Sequence, residues 1–211
     1  MIQTIIFDFD GVICRTEKYH VDLKYQLFQE WGYPTEYETL VKTVGKNFEQ
    51  SFPELYPDAD VNYYTPIFKK ALVENKPDYR DIFNDEIFIL LDYCKANGIR
   101  CAIASNSLTQ RNIENAELLG IKDYMDKIIG NDITSAKKPN PIFYQDVMKL
   151  LNANPLTTVV IEDSPTGIHA AKGAGLFTIA KRTEGLLSLD QSEADCIIDQ
   201  LDEAINIIKA K

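Results

Sequence analysis

The chain contains few cysteines and histidines, and this shortage excludes several kinds of site. Its 211 residues include four cysteines and two histidines. The cysteines are Cys14, Cys94, Cys101 and Cys196, and no two of them form a CxxC pair. A disulfide framework or a zinc site is therefore not expected. Buried free thiols in a reducing compartment are the better prediction, and we expect a cytoplasmic protein.

Basic residues are also scarce relative to acidic ones. Lysine and arginine number 22 against 32 aspartates and glutamates, which gives a formal net charge of −10. Binding to a nucleic-acid backbone requires a basic surface, so we expect no nucleic-acid partner. A small anionic substrate remains compatible with this charge, because a bound metal ion or a helix N-terminus reverses the potential locally.

Long apolar runs and a targeting segment are missing as well. No apolar stretch approaches the length that crosses a membrane. Met1 leads directly into the first predicted strand, without the basic region and small-residue cleavage site of a signal peptide. We therefore expect no membrane partner.

The most informative stretch that is present is Ile5–Val12, an apolar run that carries two carboxylates. It predicts a buried strand over Ile5–Phe9. Side chains alternate along a strand, so Asp8 and Asp10 are expected to point the same way. Two such carboxylates repel each other unless a cation lies between them. A solvated strand end with two surface carboxylates is the alternative, which this stretch alone does not exclude.

The remaining pattern predicts an α/β fold with a doubly wound parallel sheet. From Thr16 to about Asp81 the sequence is typical of helices, and from Ile87 onward strands and helices alternate. Such alternation favours a parallel sheet covered on both faces. We expect residues 1–14 and 82–211 to form the α/β core. Residues 15–81 are then a small, inserted, all-helical domain.

Polar side chains follow several of the predicted core strands. Ser105 and Asn106 follow one strand, Glu162 and Asp163 follow another, and Lys138 lies in a loop between them. The carboxyl ends of parallel strands meet at one edge of a sheet, so these groups should gather there. Helix capping by the acidic pair and a solvated lysine are the alternatives for each motif taken alone.

The gathered residue types suit phosphoryl-transfer chemistry. Carboxylate oxygens are typical ligands of magnesium when phosphate completes its coordination shell. Ser105 and Asn106 precede a helix whose free amides favour an anion. One aspartate of the Asp8–Asp10 pair can attack phosphorus while the other acts as general acid and base. Spacing alone does not decide which aspartate has which role.

At this point the motifs resemble those of the haloacid dehalogenase (HAD) superfamily, in particular its beta-phosphoglucomutase-like and phosphoglycolate phosphatase-like subfamily with an alpha-helical cap. The matching motifs, in order, are Asp8-Phe9-Asp10-Gly11, Ser105-Asn106-Ser107, Lys138-Pro139-Asn140-Pro141-Ile142-Phe143 and Glu162-Asp163-Ser164-Pro165-Thr166-Gly167. Each motif is weak alone, but four in order are strong evidence. The resemblance covers nearly the whole chain and implies a Rossmann-like core.

The resemblance also implies residue roles. Asp8 is then the nucleophile, and Asp10 is the general acid and base. Magnesium, the implied cofactor, is held by Asp8, the backbone carbonyl of Asp10 and Asp163, with Glu162 close by as a further candidate ligand. The phosphoryl group is bound by Ser105, Asn106 and Lys138, and Lys138 also counts among the catalytic residues.

The inserted helices resemble the cap that closes over substrate in this family. His20 then contacts substrate or Asp10, with a packing histidine as the alternative. A second cap segment consists of Gly45, Lys46, Asn47 and Phe48. Phe48 stands where the mutases carry an arginine that grips the distal phosphate, and it cannot pair with a phosphate. Lys46 would replace that arginine only as a point charge.

We therefore expect a magnesium-dependent phosphatase that hydrolyses small phosphate monoesters, such as sugar phosphates, through an aspartyl-phosphate. The first alternative is a beta-phosphoglucomutase-like sugar phosphomutase. The second is a protein that binds a phosphorylated metabolite without turnover. The expected partner is a small phosphorylated metabolite, and the expected oligomeric state is a monomer or weak dimer.

Overall fold

Six parallel strands form one sheet in the computed structural model, which describes residues 1–182, 185 and 189–211. The strands are β1 (Thr4–Phe7), β2 (Arg100–Ala104), β3 (Met125–Ile129), β4 (Thr158–Glu162), β5 (Phe177–Lys181) and β6 (Cys196–Ile198). Their order in the sheet is β3-β2-β1-β4-β5-β6. Each neighbouring pair is parallel. The predicted α/β fold with a parallel sheet is confirmed.

Strand β1 lies in the middle of the sheet and is buried along its whole length. Its residue Ile5 pairs with Cys101 of β2 on one side and with Val159 of β4 on the other. From β1 the chain adds β2 and β3 on one side of the sheet. It then returns to add β4, β5 and β6 on the other side, so the strand order reverses beside β1. A ligand crevice opens at the carboxyl ends of the strands at such a point.

Helices cover both faces of this sheet. The helices of the chain are α1 (Thr16–Glu30), α2 (Tyr37–Val41), α3 (Phe48–Leu55), α4 (Val61–Glu74), α5 (Ile87–Ala96), α6 (Thr109–Leu118), α7 (Ile142–Leu151), α8 (Pro165–Gly173) and α9 (Ala204–Lys209). Ile5 and Phe7 of β1 pack in one apolar cluster with α5, α6 and α9. Ile6 packs in a second cluster with α7 and α8. The alternation of β1 side chains thus anchors both layers.

Helices α1–α4 pack around an apolar cluster of their own, which is rich in aromatic residues. Phe48 stacks on Phe52 and Phe68, with ring centroids 4.8 and 4.5 Å apart. Phe28 meets Phe52 edge-on. The chain segments before and after these four helices meet at Arg15, whose guanidinium donates to Asn84 Oδ1 at 2.9 Å.

The first strand is shorter than the sequence predicts. The amide of Asp8 still donates to the Ile161 carbonyl at 2.9 Å, but the strand ends at Phe7. The chain then turns at Gly11, whose φ of +87° suits a residue without a side chain. In the described part of the chain, no helix has the length and apolarity needed to cross a membrane.

Candidate active site

A cavity of about 350 Å³ opens at the carboxyl ends of the central strands, beneath helices α1 and α4 and the start of α3. The predicted site residues that line it are Asp8, Asp10, His20, Gly45, Lys46, Asn47, Phe48, Ser105, Asn106 and Lys138. Glu162 and Asp163 are fully buried, and their carboxylates lie beside that of Asp8. The structure thus brings together at one sheet edge the residues that follow the core strands and Lys138 of the intervening loop.

Lys138 joins the two sides of the cavity floor. Its ammonium donates to Asp8 Oδ1 at 2.7 Å, to Glu162 Oε1 at 2.6 Å and to the Ala104 carbonyl at 3.0 Å. Burial opposes the charged form of Lys138, but Asp8 and Glu162 overcome it and hold the pKa of Lys138 above its usual value. Lys138 is therefore a cation with all three of its donors engaged.

Burial and Glu162 raise the pKa of Asp8 well above its usual range, and Lys138 opposes this shift. The side chain of Asp8 is only 6% exposed. It follows the last residue of β1, so the central strand fixes its position at the cavity floor.

Asp10 lies beyond the strand end, where two hydroxyl groups fix its carboxylate. Thr16 Oγ1 donates to Asp10 Oδ1 at 2.9 Å, and Ser107 Oγ donates to Asp10 Oδ2 at 3.2 Å. One donor comes from the first turn of α1 and the other from the loop after β2. The carboxylate is thus oriented in the cavity by groups on both the helical segment and the sheet.

Asp163 is a buried carboxylate without hydrogen-bond donors among the residues that the structure describes. A buried charge without a partner is costly, so this carboxylate is suited to a cation. Gly11 makes room for it, because a Cβ at Gly11 would lie 1.9 Å from Asp163 Oδ2. Carboxylate oxygens of Asp8, Glu162 and Asp163 lie within 4.8 Å of one another. The site therefore fits a divalent metal that prefers oxygen ligands.

Glu162 has partners of its own. Its Oε1 accepts from Lys138 and from the Tyr144 hydroxyl at 2.8 Å, and its Oε2 accepts from the Asp163 amide at 3.1 Å. Gly167 keeps the adjacent turn of α8 close, since a Cβ there would lie 2.0 Å from Glu162 Oε1. Glu162 is thus the buried counter-charge of Lys138, a role that sequence reasoning did not assign.

Ser105 and Asn106 lie directly after β2. Ser105 is buried, and its hydroxyl accepts from the amide of Ser107 at 3.0 Å. The Asn106 side chain brackets the backbone of Lys138: Lys138 N–H donates to Asn106 Oδ1 at 3.0 Å, and Asn106 Nδ2 donates to the Lys138 carbonyl at 3.2 Å. Asn106 therefore holds the lysine loop against the end of β2.

The helical segment contributes the roof of the cavity. Gly45 approaches Thr166 of α8 so closely that a Cβ would lie 2.5 Å from Thr166 Oγ1. His20 also lines the cavity. Burial lowers the pKa of His20, although the nearby Asp10 opposes this shift, and the lowered pKa favours the neutral ring. Phe48 lines the cavity with a side chain that belongs to the aromatic cluster.

Sequence reasoning missed Glu17 and Lys24, which also line the cavity. They lie on α1 with His20 and Val21 at positions i, i+3, i+4 and i+7, which is one face of a helix. That spacing was the available signal. Thr16 and Ser107 were missed as partners of Asp10, because only the fold brings these hydroxyls to it.

Comparison with known proteins agrees with this geometry. Residues 5–181 match the family model described as haloacid dehalogenase-like hydrolase. The phosphorylated carbohydrates phosphatase of Thermotoga maritima is 27% identical over 84% of both chains. The phosphoglycolate phosphatase of Aquifex aeolicus is 24% identical over 98% of this chain and 97% of its own. The crystal structure of beta-phosphoglucomutase from Clostridium difficile superposes with a TM-score of 0.74, at 25% identity, over 100% of this chain and 96% of that one.

The chain thus has an α/β fold with a carboxylate-lined cavity at the end of its central strand, which is the candidate active site. The chain belongs to the haloacid dehalogenase-like hydrolase family, since the family model covers most of its length. The resemblance that the motifs indicated is confirmed, and so is the predicted enzyme class.

Proposed function

We propose that the protein is a magnesium-dependent phosphatase that hydrolyses small phosphate monoesters through an aspartyl-phosphate on Asp8. The observation that carries this proposal is the cavity floor, where Asp8 is paired with the buried cation Lys138 and Asp10 lines the same cavity. Relatives named as phosphatases for phosphorylated carbohydrates and phosphoglycolate support the reaction class.

In the first step, an oxygen of Asp8 attacks phosphorus, and the bond between phosphorus and the leaving oxygen breaks. Asp10 donates its proton to that oxygen. In the second step, Asp10 accepts a proton from the attacking water, and the bond between Asp8 and phosphorus breaks. Inorganic phosphate leaves, and both aspartates return to their initial states. The hydroxyls of Thr16 and Ser107 keep Asp10 oriented for both proton transfers.

Asp8, the backbone carbonyl of Asp10 and Asp163 would hold magnesium. When bound, the ion neutralises the charge of the phosphoryl oxygens. The buried, unpartnered Asp163 supports this assignment. Glu162 was also predicted as a ligand, but its hydrogen bonds to Lys138 and Tyr144 support a role in holding Lys138 instead.

Ser105, Asn106 and Lys138 would bind the transferring phosphoryl group. Ser105 and Asn106 lie at the end of β2, and Lys138 contacts the nucleophile directly. A fixed cation and fixed dipoles around the reacting phosphorus stabilise the charge that develops there. We further propose that residues 15–81 act as a cap that excludes water, which is supported by their separate apolar cluster and by their place over the cavity.

Phe48 supports a phosphatase over a phosphomutase. A mutase must hold a second phosphate, and a guanidinium does this best. Phe48 is buried in the aromatic stack, and Lys46 is paired with Glu54 at 2.5 Å. The cap segment therefore carries an aromatic ring, and not a guanidinium, at the position of the mutase arginine.

The experiment is phosphate release from a panel of metabolite monoesters, with magnesium and with chelator. The panel includes beta-glucose 1-phosphate, assayed for glucose 6-phosphate with and without a bisphosphate activator. Magnesium-dependent phosphate release is the expected result. Isomerisation without net release would show a mutase, and binding without either reaction would show a non-catalytic binding protein.

A further inference from the structure

Lys24 is a buried cation in the cavity that the proposed reaction does not use. It lies in the middle of α1, its side chain lines the cavity, and it is only 6% exposed. Its ammonium donates to Thr43 Oγ1 at 3.2 Å, which uses one of its three donors. Within residues 1–182, 185 and 189–211, no carboxylate lies within ion-pair distance of Lys24. Two donors of a buried ammonium are therefore available to a ligand.

The other lysines of the cavity are already paired. Lys138 donates to two carboxylates and a carbonyl. Lys46 pairs with Glu54 at 2.5 Å, and Lys69 pairs with Glu49 at 2.6 Å. Both of these side chains are well exposed, so their contacts are weak and solvated. Lys24 differs from Lys46 and Lys69 in being buried. It differs from all three lysines in having no ion-pair partner among the described residues.

Glu17 supplies the acceptor that complements this donor. It lies two turns before Lys24 on the same face of α1 and lines the same cavity. The two charges act on each other, since Glu17 opposes the burial that lowers the pKa of Lys24. Together they form a site with little net charge that offers hydrogen-bond donors and acceptors at once. Hydroxyl groups match such a site, because each hydroxyl both donates and accepts.

Apolar side chains that line the cavity include Val21, Val44, Phe68 and Leu72. The lining also contains Lys46 and Lys69, and each of these lysines is paired with a glutamate, so they add little net charge. An anionic leaving group would lose solvation against the apolar side chains and would face Glu17. A carbon chain or ring that carries hydroxyls places its C–H groups on the walls and its hydroxyls on the polar pair. The cavity thus favours a neutral polyol.

We propose that Glu17 and Lys24 determine substrate specificity by binding the hydroxyl groups of a neutral polyol leaving group. This inference rests on the proposed phosphatase function and names the class of its substrate, a sugar or sugar-alcohol monophosphate. Lys24 donates to hydroxyl oxygens, and Glu17 accepts from hydroxyl protons. Neither residue takes part in the transfer of the phosphoryl group.

The test compares kcat/KM for the wild type, Lys24→Met and Glu17→Met on three kinds of probe. Glucose 6-phosphate, ribose 5-phosphate and sorbitol 6-phosphate carry neutral polyols, phenyl phosphate carries no hydroxyl, and phosphoglycolate carries an anion. Lys69→Met, a change at an exposed lysine of the same cavity, is the control. Each substitution should lower kcat/KM for the best polyol probe by roughly tenfold to a hundredfold, because a hydrogen bond to a charged group is lost. Phenyl phosphate turnover by Lys24→Met and all activities of the control should change less than about twofold. Glu17 also acts on Asp10, so Glu17→Met is judged by the ratio of its kcat/KM on the polyol probe to that on phenyl phosphate, which should fall.

Other outcomes would overturn the proposal. An equal loss on phenyl phosphate would show that Lys24 only supports the fold. Turnover of phosphoglycolate that falls in Lys24→Met and rises in Glu17→Met would show that Lys24 binds an anion. If the wild type hydrolyses no probe, the phosphatase function fails, but calorimetric binding of the same probes still tests the pair. In that case Lys24→Met should lose affinity for the polyol phosphate and keep its affinity for phenyl phosphate.

Discussion

Lys138 and Glu162 form a buried pair on which the floor of the cavity depends. Lys138 is 7% exposed and Glu162 is fully buried, so neither charge is compensated by solvent. Removing one partner of such a pair leaves the other charge buried and alone. The pair therefore supports the fold as well as the site.

We expect Lys138→Met to lower the free energy of unfolding by about 3–5 kcal/mol, measured by urea denaturation in chelator. The double variant Lys138→Met/Glu162→Gln should recover part of this loss, because it removes the stranded carboxylate. Lys149→Met, at an exposed ion pair, is the control and should change stability by less than about 1 kcal/mol. Equal losses in the single and double variants would contradict the pairing.

The proton transfer by Asp10 should be separable from the binding of magnesium. We expect Asp10→Asn to slow phosphate release by roughly a hundredfold or more, because an amide cannot transfer the proton. Magnesium should still bind, since the backbone carbonyl of residue 10 is retained. Magnesium binding is measured by calorimetry beside the kinetics. Normal turnover in this variant would place the acid and base role on another residue.

Because the pKa of Glu17 is raised, we expect the free energy of unfolding to depend on pH. Burial and the nearby Asp10 raise the pKa of Glu17 to about 7 from the ordinary value of 4.5. The folded state thus binds more protons between these two values, so this group costs stability as pH rises through that window. In chelator, Glu17→Gln should match the wild type near pH 4 and exceed it near pH 8 by up to about 3 kcal/mol. Parallel pH profiles of the two proteins would show that Glu17 titrates normally.

At the scale of elements, the loop before α3 lies against helix α8 of the core. Gly45 has a φ of +82° and lies against Thr166 of α8. Gly32 has a φ of +77° but has no atom within 4 Å of an added Cβ, among the described residues. Both glycines have a positive φ, but an added Cβ would meet the core only at Gly45, among the described residues.

We therefore expect Gly32→Ala to lose about 1 kcal/mol of stability from the positive φ, and Gly45→Ala to lose at least as much, because its added Cβ also meets Thr166. Only Gly45→Ala should also lower kcat/KM, by about tenfold or more, because the added carbon displaces the roof of the cavity. Thermal unfolding and steady-state kinetics measure the two effects. Equal kinetic losses would show that contact with Thr166 does not position the cap.

The sequence predicted the elements and the motifs at strand ends better than it predicted contacts between them. The hydrophobic run before Asp8 and the alternation after Ile87 were sufficient for the parallel sheet. The partners of Asp10 could not be predicted, because Thr16 and Ser107 are far apart in the chain and meet only in the fold. The end of β1 was placed too late, since Phe9 is apolar although the chain has already left the sheet.

At the scale of the whole molecule, the net charge of −10 and an anionic substrate are compatible. Lys138 compensates Asp8 and Glu162 locally, and the hydroxyls of Thr16 and Ser107 donate to Asp10. The buried carboxylate of Asp163 is suited to a metal ion. The phosphate therefore meets a local potential that differs from that of the surface. The division between an α/β core and an inserted helical cap at residues 15–81 stays a prediction.

The most direct test of the central claim is to look for phosphate on Asp8. The enzyme is mixed with magnesium and its best substrate, quenched rapidly in acid, digested and analysed by mass spectrometry. If Asp8 is the nucleophile, the peptide containing Asp8 gains the mass of one phosphoryl group, and Asp8→Asn shows neither this gain nor turnover. Sustained phosphate release by Asp8→Asn, or a phosphoryl group on another residue, would contradict the central claim.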